Sequence, residues 1–451
     1  MGILLDVAYG AGMIALSPMI AWRMIRHGRY REDVGQRFGS APLRHGLQPT
    51  IWVHGVSLGE INAARTLVDE LHSQLPDYRV VVSTTTETGM EAARKHFAED
   101  HLVFRWPLDF TVSVGRALDR IRPAMVVTLE GEVWPNFLAA CNKRNVPAVV
   151  VNARISRDKG YPRYKKLGPL ARRLFNRLTA IGCQTEGYAE LFAKLGVDES
   201  KLHVTGMLKF DTAVVADRID GQDELAAAVG ITEKDALIVA GGTGPDEERR
   251  LLDVYRKVKE AHADAKLAIV PRKPERFDEV ARIIADAGFH LIRRSEHPDR
   301  STPESSDEAV ILGDTMGELR KFYSLSTVAF VGRSLVPMGG SDMIEAAGLG
   351  KPTCFGPHTF NFPQADEMTE HGCVRVADAD ELAALLTRWL AEPDKAAAAG
   401  REARDFVADR KGATKRNVAM ICRILDRVPA VRDGSIATDR IVNESTPTQA
   451  D

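Results

Sequence analysis

Apolar residues along the chain follow two alternating rhythms. Short β-type runs at 51–56, 79–84, 102–105, 124–129, 148–151, 180–184 and 201–204 are separated by stretches whose hydrophobic positions recur every three to four residues. A second series, at 236–241, 266–271, 290–292, 309–312, 327–331 and 352–355, repeats the habit after a more charged, less regular connection. Strand runs alternating with helical patterns predict parallel sheets covered by helices on both faces. The pattern thus predicts an α/β chain of two doubly wound domains facing a cleft, residues 32–211 and 233–428, with a linker at 212–232. Terminal helices at about 380–425 are expected to belong to the second domain. Residues 294–307 read as a polar, proline-bearing loop, and 429–451 as a disordered tail.

Residues 1–31 break this rhythm. Positions 3–25 are mostly apolar, interrupted by Asp6, Gly10, Gly12, Ser17 and Pro18, with Arg23 inside the run and Arg26, Arg29 and Arg31 beyond it. The run is marginal for spanning a bilayer, and its basic shoulder suits a helix that crosses a membrane or lies in its interface, the main body being cytoplasmic. A cleaved signal peptide would carry its cations ahead of the apolar run, not behind it. An amphipathic helix docked on the protein itself is the alternative.

Composition changes this picture little. At 451 residues the chain exceeds one ordinary core, and a net charge of −2 gives no global pull toward nucleic acid. Five scattered cysteines, an odd count, fit a reducing compartment. No His/Cys cluster has metal-ligand spacing and no nucleophile-elbow or phosphate-loop pattern occurs, so neither a metal nor a cofactor is expected.

In an open α/β sheet, ligands bind at the carboxyl ends of the strands. The first such turn runs from strand into amphipathic helix through Ser57, Gly59 and Glu60, and places a carboxylate at the corner. Ser57-x-x-Glu60 is also a capping box, with Glu60 expected to reach back to the Ser57 amide and the helix to begin near Glu60. That account suffices for this stretch alone, and a carboxylate so bonded would be a weak base. Further turns carry Glu130 and Glu132 ahead of Trp134 and Pro135, then Asn152 and Arg154, then Lys209. In the second half, Thr243 sits in a glycine turn, and Arg272, Lys273 and Arg276 follow a strand as cations suited to phosphate. Gly332, Ser334, Gly339, Gly340 and Ser341 form a glycine-rich loop whose amides could meet an anion, with Glu345 one turn into the next helix and Asn361 in a further turn.

These residues resemble the 3-deoxy-D-manno-octulosonic acid (Kdo) transferases, inverting glycosyltransferases of GT-B fold that use CMP-Kdo. The similarity lies in Gly35-Gln-Arg-Phe38, His54-Gly-Val-Ser-Leu-Gly-Glu60, Thr84-Thr-Thr-Glu-Thr-Gly89, Pro107-Leu-Asp109, Glu130-Gly-Glu-Val-Trp-Pro-Asn136, Asn152-Ala-Arg-Ile-Ser156, Leu208-Lys-Phe-Asp211, Val270-Pro-Arg272, Asp314-Thr-Met-Gly-Glu-Leu319 and Gly356-Pro-His358. It implies an N-terminal Rossmann-like domain binding a lipid A precursor, with Glu60 as catalytic base and Glu132 in the acceptor cleft; Ser57, Gly59, Glu130, Asn152 and Arg154 are the remaining acceptor-side candidates. It implies a C-terminal Rossmann-like domain binding the nucleotide sugar through Arg272, the turn containing Ser334, and Glu345. The remaining donor-side candidates are Lys209, Thr243, Gly332, Gly339, Gly340, Ser341 and Asn361. The N-terminal helix corresponds to the family's membrane anchor, which implies the cytoplasmic face of the inner membrane and lipopolysaccharide core biosynthesis.

Three departures lie on the donor side. The chain has Gly242-Thr-Gly-Pro-Asp-Glu-Glu248 where Ser-Thr-His usually precedes Gly-Glu-Glu. It has Gly332-Arg-Ser334 in place of Gly-Gly-Ser, and Gly339-Gly-Ser-Asp342 in place of Gly-Gly-His-Asn. They leave room for a different nucleotide-sugar donor, for a nucleotide-sugar epimerase of the same architecture, or for a catalytically silent nucleotide-sugar or lipid-binding protein.

Overall fold

The computed structural model describes residues 2–27, 32–43, 46–298 and 308–427. Arg29, Arg31 and the tail 429–451 lie outside the described residues.

The first sheet is built from β1 (Thr50–His54), β2 (Arg79–Thr84), β3 (Leu102–Arg105), β4 (Pro123–Leu129), β5 (Ala148–Ala153), β6 (Ala180–Cys183) and β7 (Leu202–Val204). Its strands are all parallel, in the order β3-β2-β1-β4-β5-β6-β7. The second sheet contains β8 (Leu237–Thr243), β9 (Lys266–Pro271), β10 (His290–Arg293), β11 (Ala309–Leu312), β12 (Val328–Val331), β13 (Thr353–Phe355) and β14 (Val374–Arg375). These run parallel in the order β10-β11-β9-β8-β12-β13-β14. Only β14 has no counterpart in the sequence pattern; it is a half-buried edge pair with no apolar run to announce it.

Each sheet separates two apolar layers. In β1, Ile51 and Val53 enter one layer and Trp52 the other, as strand alternation requires. Both faces are covered, so these strands read as continuous hydrophobic runs.

One expectation needs correction. The helix Ala413–Arg427 packs on the first domain and not the second: Val418, Ile421 and Leu425 share an apolar layer with Ile51, Leu67 and Leu71. Its start is fixed by the Asp211 carboxylate, which accepts from the Gly412 and Thr414 amides. At β6, Gly182 leaves the room: a Cβ there would lie 2.5 Å from Asn417 Oδ1. Partners two hundred positions apart leave no local trace of this crossing.

The helix Gly2–His27 contains one stretch, Gly2–Met19, long and apolar enough to cross a membrane, with mean hydropathy 1.4 and none of it buried. Its first turns hold the body. Asp6 accepts from the Thr111 amide at 2.9 Å and from Asn136 Nδ2 at 3.0 Å, and the Tyr9 hydroxyl donates to Asp109 at 3.3 Å. Ile3, Leu4, Val7, Ile14 and Ile25 are exposed. The helix is therefore tethered through its first turns, and the apolar stretch Gly2–Met19 is left unburied.

Candidate active site

Strand order reverses between β1 and β4, and the crevice beyond their carboxyl ends is where an open sheet binds its ligand. Glu60 stands there, in the first turn of the helix Leu58–Gln74, with Ser57 as N-cap. Its Oε2 accepts from the Val56 amide at 2.9 Å and its Oε1 from the Ser57 hydroxyl at 2.8 Å. The expected reach to the Ser57 amide does not occur, and the helix begins two residues earlier than expected. Gly55 makes this packing possible, since a Cβ there would come within 3.2 Å of the Glu60 Cβ.

Burial pushes the Glu60 carboxyl up to about 7, and the charges of Glu130 and Glu132 add to the rise; the Val56 and Ser57 hydrogen bonds pull the other way without cancelling it. The bonded geometry and the high pKa thus coexist. Burial, with Glu130 beside it, also raises Glu132. Glu130 adopts a left-handed backbone (φ +63) and is held by Arg154 Nε at 2.9 Å. Such a conformation at a non-glycine residue costs about 1 kcal/mol or more and is characteristic of functional turns. Glu60, Glu130, Glu132 and Arg154 are brought together as the pattern suggested.

Asn152 is not presented to the cleft. It is buried, and its Oδ1 accepts from the Leu208 amide at 3.1 Å, fixing the start of the short helix Leu208–Thr212 that carries Lys209. Lys209 in turn crosses to the second domain, 3.3 Å from Asp342 and 4.3 Å from the centre of the Phe362 ring. An interdomain cleft of about 1040 Å³ opens beside this bridge, lined by Arg154, Tyr188 and Met207 on one side and Phe360 and Gln364 on the other.

Several shared motif residues, and Arg105 beside them, prove to be supports. His54 is fully buried, stacked on Trp106 at 3.8 Å, and burial lowers its ring to about 3, so it stays neutral. Arg105, also fully buried, pairs with Glu87 and donates to the Thr86 carbonyl at 3.1 Å, while Arg37 donates to the Thr85 carbonyl at 3.3 Å. Asp109 accepts from the Asn136 and Phe137 amides at 3.1 and 2.8 Å, capping the helix Pro135–Lys143 behind Glu132. Arg105 passed unnoticed in the sequence because a strand-terminal arginine normally faces water; its partners are 18 or more positions away.

In the second domain the reversal falls between β8 and β12. Glu247, fully buried, dominates this site. One carboxylate oxygen accepts from the Ser334 and Leu335 amides at 2.9 and 3.0 Å, the other from the Arg333 amide and from Gly244 at 3.3 Å. The amides of residues 333–335, which the sequence offered to an anion, are thus occupied by a side chain. Glu247 was missed; two consecutive acids opening a helix after a glycine turn were the available signal. Glu248, beside it, accepts from the Thr243 hydroxyl at 2.9 Å and pairs with Arg276. Arg276 is therefore a buried strut and not a phosphate ligand. Ser334 is likewise internal: its hydroxyl donates to the Val331 carbonyl and accepts from the Gly356 amide at 2.8 Å.

Arg272, Gly339, Gly340, Ser341, Glu345 and Asn361 remain around the opening. Arg272 is exposed and forms no ion pair among the described residues. Glu345 pairs with Arg320 at 3.2 Å; burial raises its carboxyl and the neighbouring Asp342 adds to the rise, while Arg320 and Arg272 oppose it. Gly339 and Gly340 have φ of +89 and +85, and a Cβ at Gly339 would lie 2.1 Å from Asn361 Nδ2. Ser341 donates to the Gly242 carbonyl at 2.8 Å. Arg333 has a positive φ (+59), a half-buried side chain lying against Gly244, and an Nε with no partner among the described residues.

Two doubly wound domains, each built on a parallel seven-stranded sheet and facing a cleft, define the GT-B architecture. A glycosyltransferase from Rickettsia africae shares it, with a TM-score of 0.58 at 14% identity, covering 85% of this chain and 100% of that one. Residues 32–212 match the family model for 3-deoxy-D-manno-octulosonic-acid transferase. The transferase of that name from Haemophilus influenzae is 31% identical over 418 residues, 89% of this chain and 94% of the relative. The one from Bordetella pertussis is 33% identical over 433 residues, 91% and 97% respectively. The chain belongs to the 3-deoxy-D-manno-octulosonic acid transferase family and is a glycosyltransferase.

Proposed function

We propose that the protein transfers Kdo from CMP-Kdo to a lipid A precursor, with inversion at the anomeric carbon, at the cytoplasmic face of the inner membrane. The observation that carries this reading is Glu60: a buried carboxylate at the first sheet's reversal point whose pKa of about 7 suits a general base at neutral pH. Glu60 takes the proton of an acceptor hydroxyl as its oxygen attacks the anomeric carbon. The bond to the CMP phosphate oxygen breaks with its electron pair on CMP, from the face opposite to attack. Arg272 compensates the phosphate charge, since Glu247 has taken the nearest loop amides. Arg154 and Lys209 place cations on the acceptor side and at the bridge between domains. The exposed apolar helix Gly2–His27 would hold the cleft near a lipid-borne acceptor.

The test is transfer from CMP-Kdo, generated in situ, to a lipid A precursor, with the product's anomeric configuration read by NMR. An inverted ketosidic linkage is expected. A retained linkage, or no product from protein that binds CMP, would overturn the reading.

A further inference from the structure

Residues 157–177, RDKGYPRYKKLGPLARRLFNR, hold eight cations and one carboxylate in a chain whose net charge is −2. They fold as two short helices, Gly160–Leu167 and Pro169–Phe175, hinged at Gly168. One side of this hairpin is anchored: Ala171 and Phe175 are buried, Tyr161, Tyr164 and Leu174 pack on the same core, and the Tyr164 and Phe175 rings meet edge-on at 4.9 Å. The other side is left outward. Arg163, Lys165, Lys166, Arg172 and Arg173 are exposed, and none forms an ion pair among the described residues. At the tip, on either side of Gly168, Leu167 and Leu170 are 45% and 56% exposed.

We infer that this hairpin is a second membrane-contact element, docking on the anionic phospholipid surface of a bilayer. Cations around a small apolar tip match a layer whose headgroups are negative and whose interior is apolar. The two leucines distinguish this surface from a purely ionic one that would suit nucleic acid. Position agrees. Arg177 donates to the Pro135 carbonyl at 3.0 Å, and the next residue, Asn136, holds Asp6 of the N-terminal helix. Hairpin and N-terminal helix therefore leave the body beside one helix start, on the flank of the carboxylate crevice. An apolar helix alone can tilt and rotate; a charged second contact would fix how the crevice faces the lipid. The inference draws on the proposed lipid-borne acceptor for its purpose only, because vesicle binding is measured without turnover.

The experiment compares binding of the full chain to vesicles of phosphatidylcholine alone and of phosphatidylcholine with phosphatidylglycerol. The N-terminal helix contributes to both, and Arg23, Arg26, Arg29 and Arg31 share in the gain on adding anionic lipid. The hairpin's part is therefore read as the difference between wild type and a hairpin variant that keeps those arginines. Each cation near such a surface contributes about fivefold. The triple variant Arg163→Gln/Lys165→Gln/Lys166→Gln should therefore lose on the order of 100-fold of that gain, with CMP binding unchanged as evidence of folding. Leu167→Ser/Leu170→Ser should weaken binding to both vesicle types. Full retention of the anionic gain in the triple variant would overturn the inference. So would tight binding of a short RNA in preference to vesicles.

Discussion

A carboxylate held in a buried pocket should destabilise the protein that carries it, and Glu60→Gln makes this measurable. The carboxyl rises from an ordinary 4.5 to about 7, so between those values the folded protein retains a proton that the unfolded chain has released. Stability from this group is therefore full below about 4.5 and is lost as pH rises through about 7. At about 1.4 kcal/mol per pH unit the difference is roughly 3 kcal/mol. Only 8% of Glu60 is exposed, so solvent screening reduces this little. Glutamine keeps the shape without the charge, but it sets an amide nitrogen against the Val56 amide or the Ser57 hydroxyl, a mismatch of about 1 kcal/mol. At pH 8.5 the variant should be more stable than wild type by about 2 kcal/mol, or roughly 4–8 °C for a domain of this size. At pH 5 the two should be close or reversed. Thermal unfolding in the same detergent at pH 5, 7 and 8.5 reads the difference. A gap that stays constant with pH would show that the carboxylate titrates normally and that the account of its environment is wrong.

Glu130→Gln removes the larger of the two charges that raise Glu60, so the acid limb of the rate against pH should move to lower pH, with Arg154 left unpaired. Glu247→Gln leaves two of four buried amides facing a donor, and should cost about 3 kcal/mol in denaturant unfolding and abolish CMP binding by calorimetry. Arg333→Gly relieves a left-handed conformation of about 1 kcal/mol and should raise the melting temperature. It also removes a guanidinium from the donor loop, so CMP should bind roughly tenfold more weakly; equal affinity would show that Arg333 only fills space.

The architecture was legible because both sheets are covered on both faces. Thirteen of the fourteen strands coincide with apolar runs, which no solvent-facing alternation interrupts. Glu60, Glu130, Glu132 and Arg154 were legible for a related reason, since residues just after parallel strands must share one edge. What the sequence concealed depends on contacts across long intervals. Glu247 closes on amides 86 to 88 positions away, and Asn152 on one 56 away, so a loop that looked open to an anion and an amide that looked free were both already partnered. The helix Ala413–Arg427 returns to the first domain for the same kind of reason. The basic hairpin escaped a reading by strand ends because its chemistry lies on a helical face, away from either sheet edge.

The central claim is that Glu60 takes the acceptor proton, and single-turnover transfer from CMP-Kdo to a lipid A precursor tests it directly. Wild type, Glu60→Gln and Glu60→Ala are compared at pH 8, with CMP affinity measured on the same samples. Loss of positioned base catalysis, on the order of 10²–10⁴-fold in rate, is expected in both variants with CMP affinity intact. A Glu60→Gln protein that turns over at the wild-type rate would reduce Glu60 to a helix cap and contradict the account.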